Sequence, residues 1–359
     1  MSKHGARRPP LAVRVPPGAV MTGGRRRADG DERTGDERTG DERTGDETTG
    51  EEQLGDGTAE FTAHRPLLFS IAYEILGSVA DAEDVLSESW VRWQQCDRER
   101  VRHPRAYLAR IVTRQALNAA RAADRRRETY VGPWLPEPLE AADRETGLDH
   151  VLTGEAVTTA MLLVLESLTP DERAVFVLRE VFDFEYPEIA DAVDKSQPAV
   201  RQIAHRARAH VRARRPAAVA GPTDVQAVVE RFLTAAVTGQ VQELMEVLAP
   251  GVVYLGDGGG VAPAARRPVE GADRVARMVI GLLAKGATLG EVGFRMTVVN
   301  GMPAVVVTLD GDVDNVTCVE VVDGAVTAVY AVRNPAKLEW IRAQPEPPVT
   351  AGASDAPAP

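Results

Sequence analysis

The sequence predicts a multidomain chain: two all-α modules followed by an α+β domain. Three observations predict it. Apolar residues recur at helical spacing from Phe61 to Arg215, interrupted by a proline-rich segment at 129–150. The later part of that stretch, Leu168 to Arg215, reads as a helix-turn-helix. From about Asp224, two helical patterns give way to β-rich runs separated by turn signals.

Charge narrows the class. The chain has 359 residues and a formal net charge of −11. Residues 31–60 carry twelve acids against three arginines, a net of −9, while residues 98–127 carry ten arginines against Glu99 and Asp124, a net of +8. Local rather than total charge decides phosphate binding. Two cysteines, Cys96 and Cys318, offer neither a disulfide framework nor a CxxC metal pair, which fits a reducing cytoplasm. No apolar run approaches the ~20 residues of a membrane span, and the N-terminus lacks the apolar stretch of a signal peptide.

Residues 1–57 read as a disordered tail. DERTG repeats at Asp31–Gly35, Asp36–Gly40 and Asp41–Gly45 and decays to DETTG; such a period, without apolar residues, builds no core. Residues 58–128 form the first module. Phe61, Leu67, Leu68, Ile71, Ala72 and Leu76 line a helix ended by Gly77. A second helix, Asp81 to Cys96, has Asp81, Glu83 and Asp84 at its N-terminus, where the helix dipole favours acids. Val85, Leu86, Trp90 and Trp93 are its apolar side. After the loop Asp97–Pro104, a third helix from Arg105 to about Arg127 mixes Tyr107, Leu108, Ile111, Val112 and Leu117 with arginines. Rings and cations on one helix suit single-stranded DNA; a basic helix with a core tyrosine is the plain alternative.

Residues 129–150 form the linker, where Gly132, Pro133, Pro136 and Pro138 exclude regular helix. Its Trp134, Leu135 and Leu139 either pack on a neighbouring domain or await a partner. The second module covers 151–215. A helix from Glu155 to Leu168 leads to Thr169-Pro170, with Glu172 at capping-box spacing. A short helix, a second from Pro187 to Val193 and the turn Asp194-Lys195 follow. Ser196 caps a third helix, Gln197 to about Arg214, with Val200, Ile203, Ala204, Ala207 and Val211 as a buried stripe. Six arginines and no acid lie between Gln197 and Arg215. A long basic helix after a tight turn suits a major groove; a solvated basic face is the plain alternative.

Residues 223–342 form the α+β domain. Helices are expected at Val225–Val237, Val241–Leu248 and Gly271–Ala284. Strands are expected at Gly251–Leu255, Glu291–Asn300, Ala304–Asp310, Val313–Val322 and Ala325–Val332, with Asp323-Gly324 as a hairpin turn. A short last helix starts at Asn334-Pro335, and residues 343–359 read as a second disordered tail.

In this order the parts resemble a bacterial sigma factor of the extracytoplasmic-function type, within the sigma-70 family. DAEDVLSESWVRW and PRAYLARIVTRQALNAARAADRRR are similar to region 2, a helical bundle. LTPDERAVFVLREVFDFEYPEIA and AVRQIAHRAR are similar to region 4, the helix-turn-helix. The last domain resembles the cone-shaped SnoaL-like (polyketide-cyclase-like) fold that one sigma subgroup carries as an extension. Three signatures of that subgroup stand here: WLPEPL at Trp134–Leu139, DGGGK as DGGGV at Asp257–Val261, and NPDKL as NPAKL at Asn334–Leu338. Val261 and Ala336 depart from it, which weighs against a role for the two charges they replace.

The resemblance implies an initiation factor that binds core RNA polymerase, through its β′ clamp and β subunits, and directs it to promoter DNA. Core binding is expected at Asp81, Glu83, Asp84, Leu86, Ser87 and Trp90. The melted −10 strand is expected on Gln95, Arg98, Arg105, Tyr107, Arg110, Arg114, Asn118 and Arg121. The −35 duplex is expected on Ser196, Gln197, Ala199, Val200, Arg201, Gln202, His205 and Arg206. Regulatory contacts in cis are expected from Trp134, Leu135, Pro136, Glu137, Pro138 and Leu139, from Asp257, Gly258, Gly259 and Gly260, and from Asn334, Pro335, Lys337 and Leu338. Leu338, Trp340 and Ile341 are expected to dock on the linker or region 2. The protein is expected to be cytoplasmic, off the membrane and monomeric when free, with no cofactor and no metal.

The alternative is a DNA-binding regulator fused to a small-molecule-binding or isomerase-like cone domain. Cone-fold catalysis usually wants histidine or a buried carboxylate pair. All six histidines precede residue 211, and Asp310, Asp312 and Asp314 sit at a strand turn where acids are commonplace. No catalytic residue is therefore expected, while a small ligand for this domain is left open.

Overall fold

The structure, a computed structural model, describes residues 47–127, 129–140, 158–214 and 222–343. The DERTG repeats, the second half of the linker and the C-terminal tail from residue 344 lie outside the described residues.

Helix α1 spans Glu47–Leu76, so it begins inside the segment expected to be tail. Gly77, at φ 67°, ends it. Ser78 then caps α2 (Val79–Gln94), accepting from the Asp81 N–H at 3.1 Å. Helix α3 covers Pro104–Arg127. Trp93 is fully buried among these helices, and its indole N–H donates to the Gly57 carbonyl at 2.8 Å.

Four further helices make the helix-turn-helix region: α4 (Thr159–Glu166), α5 (Pro170–Phe176), α6 (Tyr186–Val193) and α7 (Gln197–Arg214). The capping box at Thr169 and Glu172 forms as expected. A wider helical turn, Val177–Val181, follows α5. Asp194 closes α6 in the left-handed region at φ 57°, which turns the chain into α7. The two expected modules share one continuous apolar core, running from Phe61 through Leu108 to Val211. Buried Arg173 ties them: its guanidinium donates to the carbonyls of Ile75 on α1 and Leu165 on α4 and to the Glu166 carboxylate. A cation here meets carbonyls that helix ends leave unpaired.

The α+β domain opens with α8 (Pro222–Thr238) and α9 (Val241–Val247), followed by β1 (Leu248–Asp257), β2 (Val269–Glu270) and α10 (Ala272–Leu289). Strands β3 (Val292–Val299), β4 (Met302–Leu309), β5 (Asp312–Val322) and β6 (Ala325–Val332) then form a meander. The sheet order is β2-β1-β6-β5-β4-β3, with β1 parallel to β6 and the other pairs antiparallel. β1 is longer than its Gly251–Leu255 core of apolar residues, and two-residue β2 is too short to leave a periodic signal. α10 runs past Ala284 despite Gly281 and Gly286, which lower helix propensity. Asp323 and Gly324 both take positive φ, as a two-residue hairpin turn requires.

Helices α8, α9 and α10 cover one part of the sheet. A second apolar cluster of the sheet takes in Leu135 from the linker, Ala160 from α4, and Leu338 and Ile341 from the C-terminal segment. Trp340 packs against the core of the helical region instead. The docking expected of Leu338, Trp340 and Ile341 is therefore where the last short helix, α11 (Glu339–Ala343), meets the rest.

Candidate functional site

Helix α7 has two faces. Val200, Ile203, Ala204, Ala207 and Val211 are buried, while Arg201, Gln202, His205 and Arg206 are exposed and line a shallow hollow. Ser196 and Gln197 are exposed at its start, and Ser196 Oγ accepts from the Ala199 N–H at 3.4 Å. Val200 corrects the expected −35 set: it is 0 % exposed, part of the stripe that seats the helix, and cannot reach a base edge. Farther along, Arg206 pairs with Glu172 at 3.3 Å and Arg208 with Glu180 at 2.7 Å.

Of the residues expected at the −10 strand, Arg105, Arg114 and Arg121 are exposed but also touch the helix-turn-helix, while Tyr107 and Arg110 are half-buried. Tyr107 is half-buried, 5.9 Å from the Trp93 ring, and the Arg110 guanidinium lies over it at 4.7 Å. Arg105 sits over the Phe184 ring at 4.4 Å, and Arg114 donates to the Asp191 carbonyl at 2.8 Å. Arg121 pairs with Asp171 at 2.8 Å, and Lys195 reaches the other oxygen of that carboxylate at 3.0 Å. Burial would raise the Asp171 carboxyl, but Lys195 and Arg121 hold it below its ordinary pKa. Three arginines of α3 thus meet the helix-turn-helix, whose carboxylates and free carbonyls are complementary to them. Gln95 and Asn118 are exposed, and Arg98 is half-buried in a short 3-10 turn.

On α2, Asp84 and Ser87 are exposed, Asp81 is half-buried, and Glu83 pairs with Arg65 at 2.6 Å. Trp90 meets Phe61 edge-on at 5.1 Å. Leu86 corrects the expected core-binding set: at 3 % exposure it belongs to the helical core. Val91, 53 % exposed on the same helix, was passed over, although its place two residues before buried Trp93 puts it on the outer side.

The three signature segments converge on Asp257, which is 0 % exposed at the end of β1. Its carboxylate accepts from the Tyr130 hydroxyl (2.5 Å), the Leu135 N–H (2.9 Å), the Gly259 N–H (3.0 Å) and Lys337 Nζ (2.7 Å). Buried Lys337 also donates to the Leu135 carbonyl at 2.5 Å and lies 4.0 Å from the Trp134 ring. Asn334 donates to the Tyr130 hydroxyl at 2.9 Å. A Cβ at Gly258 would meet the Ala262 carbonyl oxygen at 2.1 Å, and Gly259, at φ 60°, would strike Asn334. Gly260 lies against Val131, and Pro335 begins the 3-10 turn that carries Lys337. Val261 and Ala336 are both exposed, so the cation of this cluster is Lys337.

The described part of the linker, residues 129–140, is held in two ways. Tyr130 to Leu135 meet the Asp257 cluster, whereas Glu137 caps α2, accepting from Ser78 Oγ at 2.9 Å and the Val79 N–H at 2.7 Å. Burial pushes the Glu137 carboxyl up, against the pull of these donors. Pro136, Pro138 and Leu139 are buried. Asn300, in the left-handed region at the β3–β4 turn, trades two hydrogen bonds with the Leu139 backbone and donates to the Glu137 carbonyl. The Tyr73 hydroxyl of α1 lies 2.6 Å from that carbonyl and 2.9 Å from Asn300 Oδ1. Buried Glu140 pairs with Arg295 and accepts from Thr297 on β3. Tyr130, Glu140 and Asn300 were missed. Glu140 directly follows the WLPEPL signature, but Asn300-Gly301 carries only a hairpin signal. Among the described residues no acid, His or Cys cluster could hold a metal ion, and no helix is long and apolar enough to cross a membrane.

Comparison with known proteins follows the same division. Residues 61–126 match the family model Sigma-70 region 2, and residues 158–211 match Sigma-70, region 4. The ECF RNA polymerase sigma factor SigJ of Mycobacterium tuberculosis is 38% identical over 303 residues, 80% of this chain and 96% of that protein. A probable ECF RNA polymerase sigma factor of the same species, SigI, is 29% identical over 289 residues, 80% of this chain and 96% of its own length. The crystal structure of M. tuberculosis SigJ superposes with a TM-score of 0.62 at 33% identity, covering 78% of this chain and 98% of that one.

Proposed function

The chain belongs to the extracytoplasmic-function sigma factors of the sigma-70 family, and from that membership we propose how its parts share the work of transcription initiation. The exposed face of α2, with Asp84, Ser87 and Val91, docks on the β′ clamp of core polymerase. The loop before α3 and the arginines of α3 hold the melted −10 strand. Arg201, Gln202 and His205 of α7 read the −35 duplex, in the manner of a recognition helix. Linked on one chain, the two weak grips reinforce each other on one promoter. The protein works in the cytoplasm and is monomeric when free.

The α+β domain regulates this in cis. Its clasp on the linker, built on Asp257, Lys337, Asn300 and Glu140, holds the chain with Arg105, Arg114 and Arg121 turned against the helix-turn-helix. The clasped form is the resting one, and core polymerase opens it. One observation carries this reading: Asp257, fully buried, accepts from both the linker and Lys337 of the NPAKL segment. Those bonds occupy its carboxylate, which argues against a catalytic role for it. The domain also lacks histidine, which weighs against catalysis there.

Single-strand binding and run-off transcription with purified core polymerase test the reading. The double variant Tyr130→Phe, Glu140→Ala loses one bond to buried Asp257 and one ion pair, so free chain should bind a −10 single strand at least about tenfold more tightly. Unchanged binding would remove the clasp from the account. A chain that neither binds core nor initiates would instead be a plain DNA-binding regulator.

A further inference from the structure

The α+β domain encloses a cavity of about 410 Å³ between α8, α10 and the sheet, a volume in the range of small-molecule sites. Its walls are apolar, with Phe232, Met278, Leu283, Phe294 and Val307 among them. Its polar groups are few and largely paired. Arg333 makes a two-pronged ion pair with Asp314, at 2.7 and 3.0 Å. Asn315 donates to Asp314, and Thr317 donates to Asn315. Burial would raise the Asp314 carboxyl, but Arg333 keeps it below its ordinary value, so the pair stays ionised and cancels its own charge.

Among the buried polar side chains of the lining, Tyr254 is the exception. It lines the cavity, is buried to all but 7 % of its surface, and donates no hydrogen bond among the described residues. Burial pushes its pKa up to about 12 against the pull of Arg333, so the hydroxyl is a neutral donor at every working pH. Its hydroxyl is not sealed off among the unpartnered buried atoms, so it is an open donor that a ligand oxygen can take in place of water. An ionised head group beside Tyr254 would lose its hydration in an apolar chamber, and the remaining cation of the lining, Lys285, is exposed rather than set within it.

We propose that this cavity is a binding site for an uncharged, largely apolar small molecule carrying one acceptor oxygen, such as a ketone, which takes the Tyr254 hydroxyl. The site touches the clasp. The Arg333 guanidinium donates to the Pro263 carbonyl, and its backbone N–H donates to the Asp257 carbonyl at 2.7 Å. An occupant that shifts Arg333 therefore shifts the loop carrying Asp257. This second step rests on the cis-regulation proposed above; occupancy of the cavity does not.

The test uses full-length protein and the neutral fluorophore N-phenyl-1-naphthylamine, displaced by 2-decanone, decanoate or decylamine. Saturable binding of one fluorophore per chain is expected, with 2-decanone displacing it at least about tenfold more effectively than either charged chain. Tyr254→Phe should weaken 2-decanone about three- to tenfold while leaving the fluorophore unchanged. Val307→Trp and Leu283→Trp, each with its melting curve checked, should exclude the fluorophore. No saturable binding, equal displacement by decanoate, or an unaltered ketone affinity in Tyr254→Phe overturns the site. Hydrogen exchange at the Leu135 amide then reads the coupling. A change of at least about threefold on saturation supports it; binding with unchanged exchange overturns the coupling alone. Neither arm needs polymerase, so these failures are separable from failure of the regulatory reading.

Discussion

At the scale of single residues, the Asp257–Lys337 pair is the most exacting feature. Both groups are buried, and removing one partner leaves an uncompensated charge. Lys337→Met should destabilise the chain by about 3–5 kcal/mol in urea unfolding, and adding Asp257→Asn should recover part of that loss. Glu74 is a second case. It is 4 % exposed on α1, with one carboxylate oxygen lacking a partner, and burial raises its pKa to about 8. Because the folded pKa lies above the ordinary value, the folded state holds a proton that the unfolded chain releases from about pH 4.5 upward. Stability should therefore fall between about pH 4.5 and 8 and level off above that. Glu74→Gln should remove the Glu74 share of this slope and add about 3 kcal/mol at pH 7, measured by urea unfolding across that range. The signature motifs made Asp257 and Lys337 legible in the sequence. Leu86 and Val200 were misassigned because their motifs mix surface and core positions. Asn300 was illegible because its partners, Tyr73 and Leu139, lie far away in sequence.

At the scale of elements, helices were easier to read than their surroundings. The stripe Val200–Val211 fixes which face of α7 points outward, so the exposed set followed from spacing, Val200 excepted. Arg201→Ala should weaken binding to a promoter −35 duplex by about 1–3 kcal/mol in fluorescence anisotropy and leave a −10 single strand unaffected. The same reasoning on α3 gave an open basic face. Spacing cannot say what an exposed face also touches, and arginines that suit phosphate also suit the Asp171 carboxylate and the Asp191 carbonyl. The linker was legible as non-helical from its prolines. Its large apolar residues pack within the chain: Leu135 in the sheet domain and Leu139 in the helical core.

At the scale of the whole molecule, the order of parts carried the family, and the arrangement of parts carried what the order left open. A closed form favoured a hundredfold rests on about 2.8 kcal/mol. Loss of a partner by one buried polar group costs about 1–3 kcal/mol, so two clasp substitutions are enough to shift the balance. The most direct test places spin labels at Asn118 on α3 and Asp191 on α6, both exposed side chains, in a Cys96→Ser chain, and measures their separation by pulsed electron resonance. We predict one short distance in the free chain, and longer distances both in Tyr130→Phe, Glu140→Ala and on binding core polymerase. An identical distance in all three states would contradict a clasp that controls access to the −10 face.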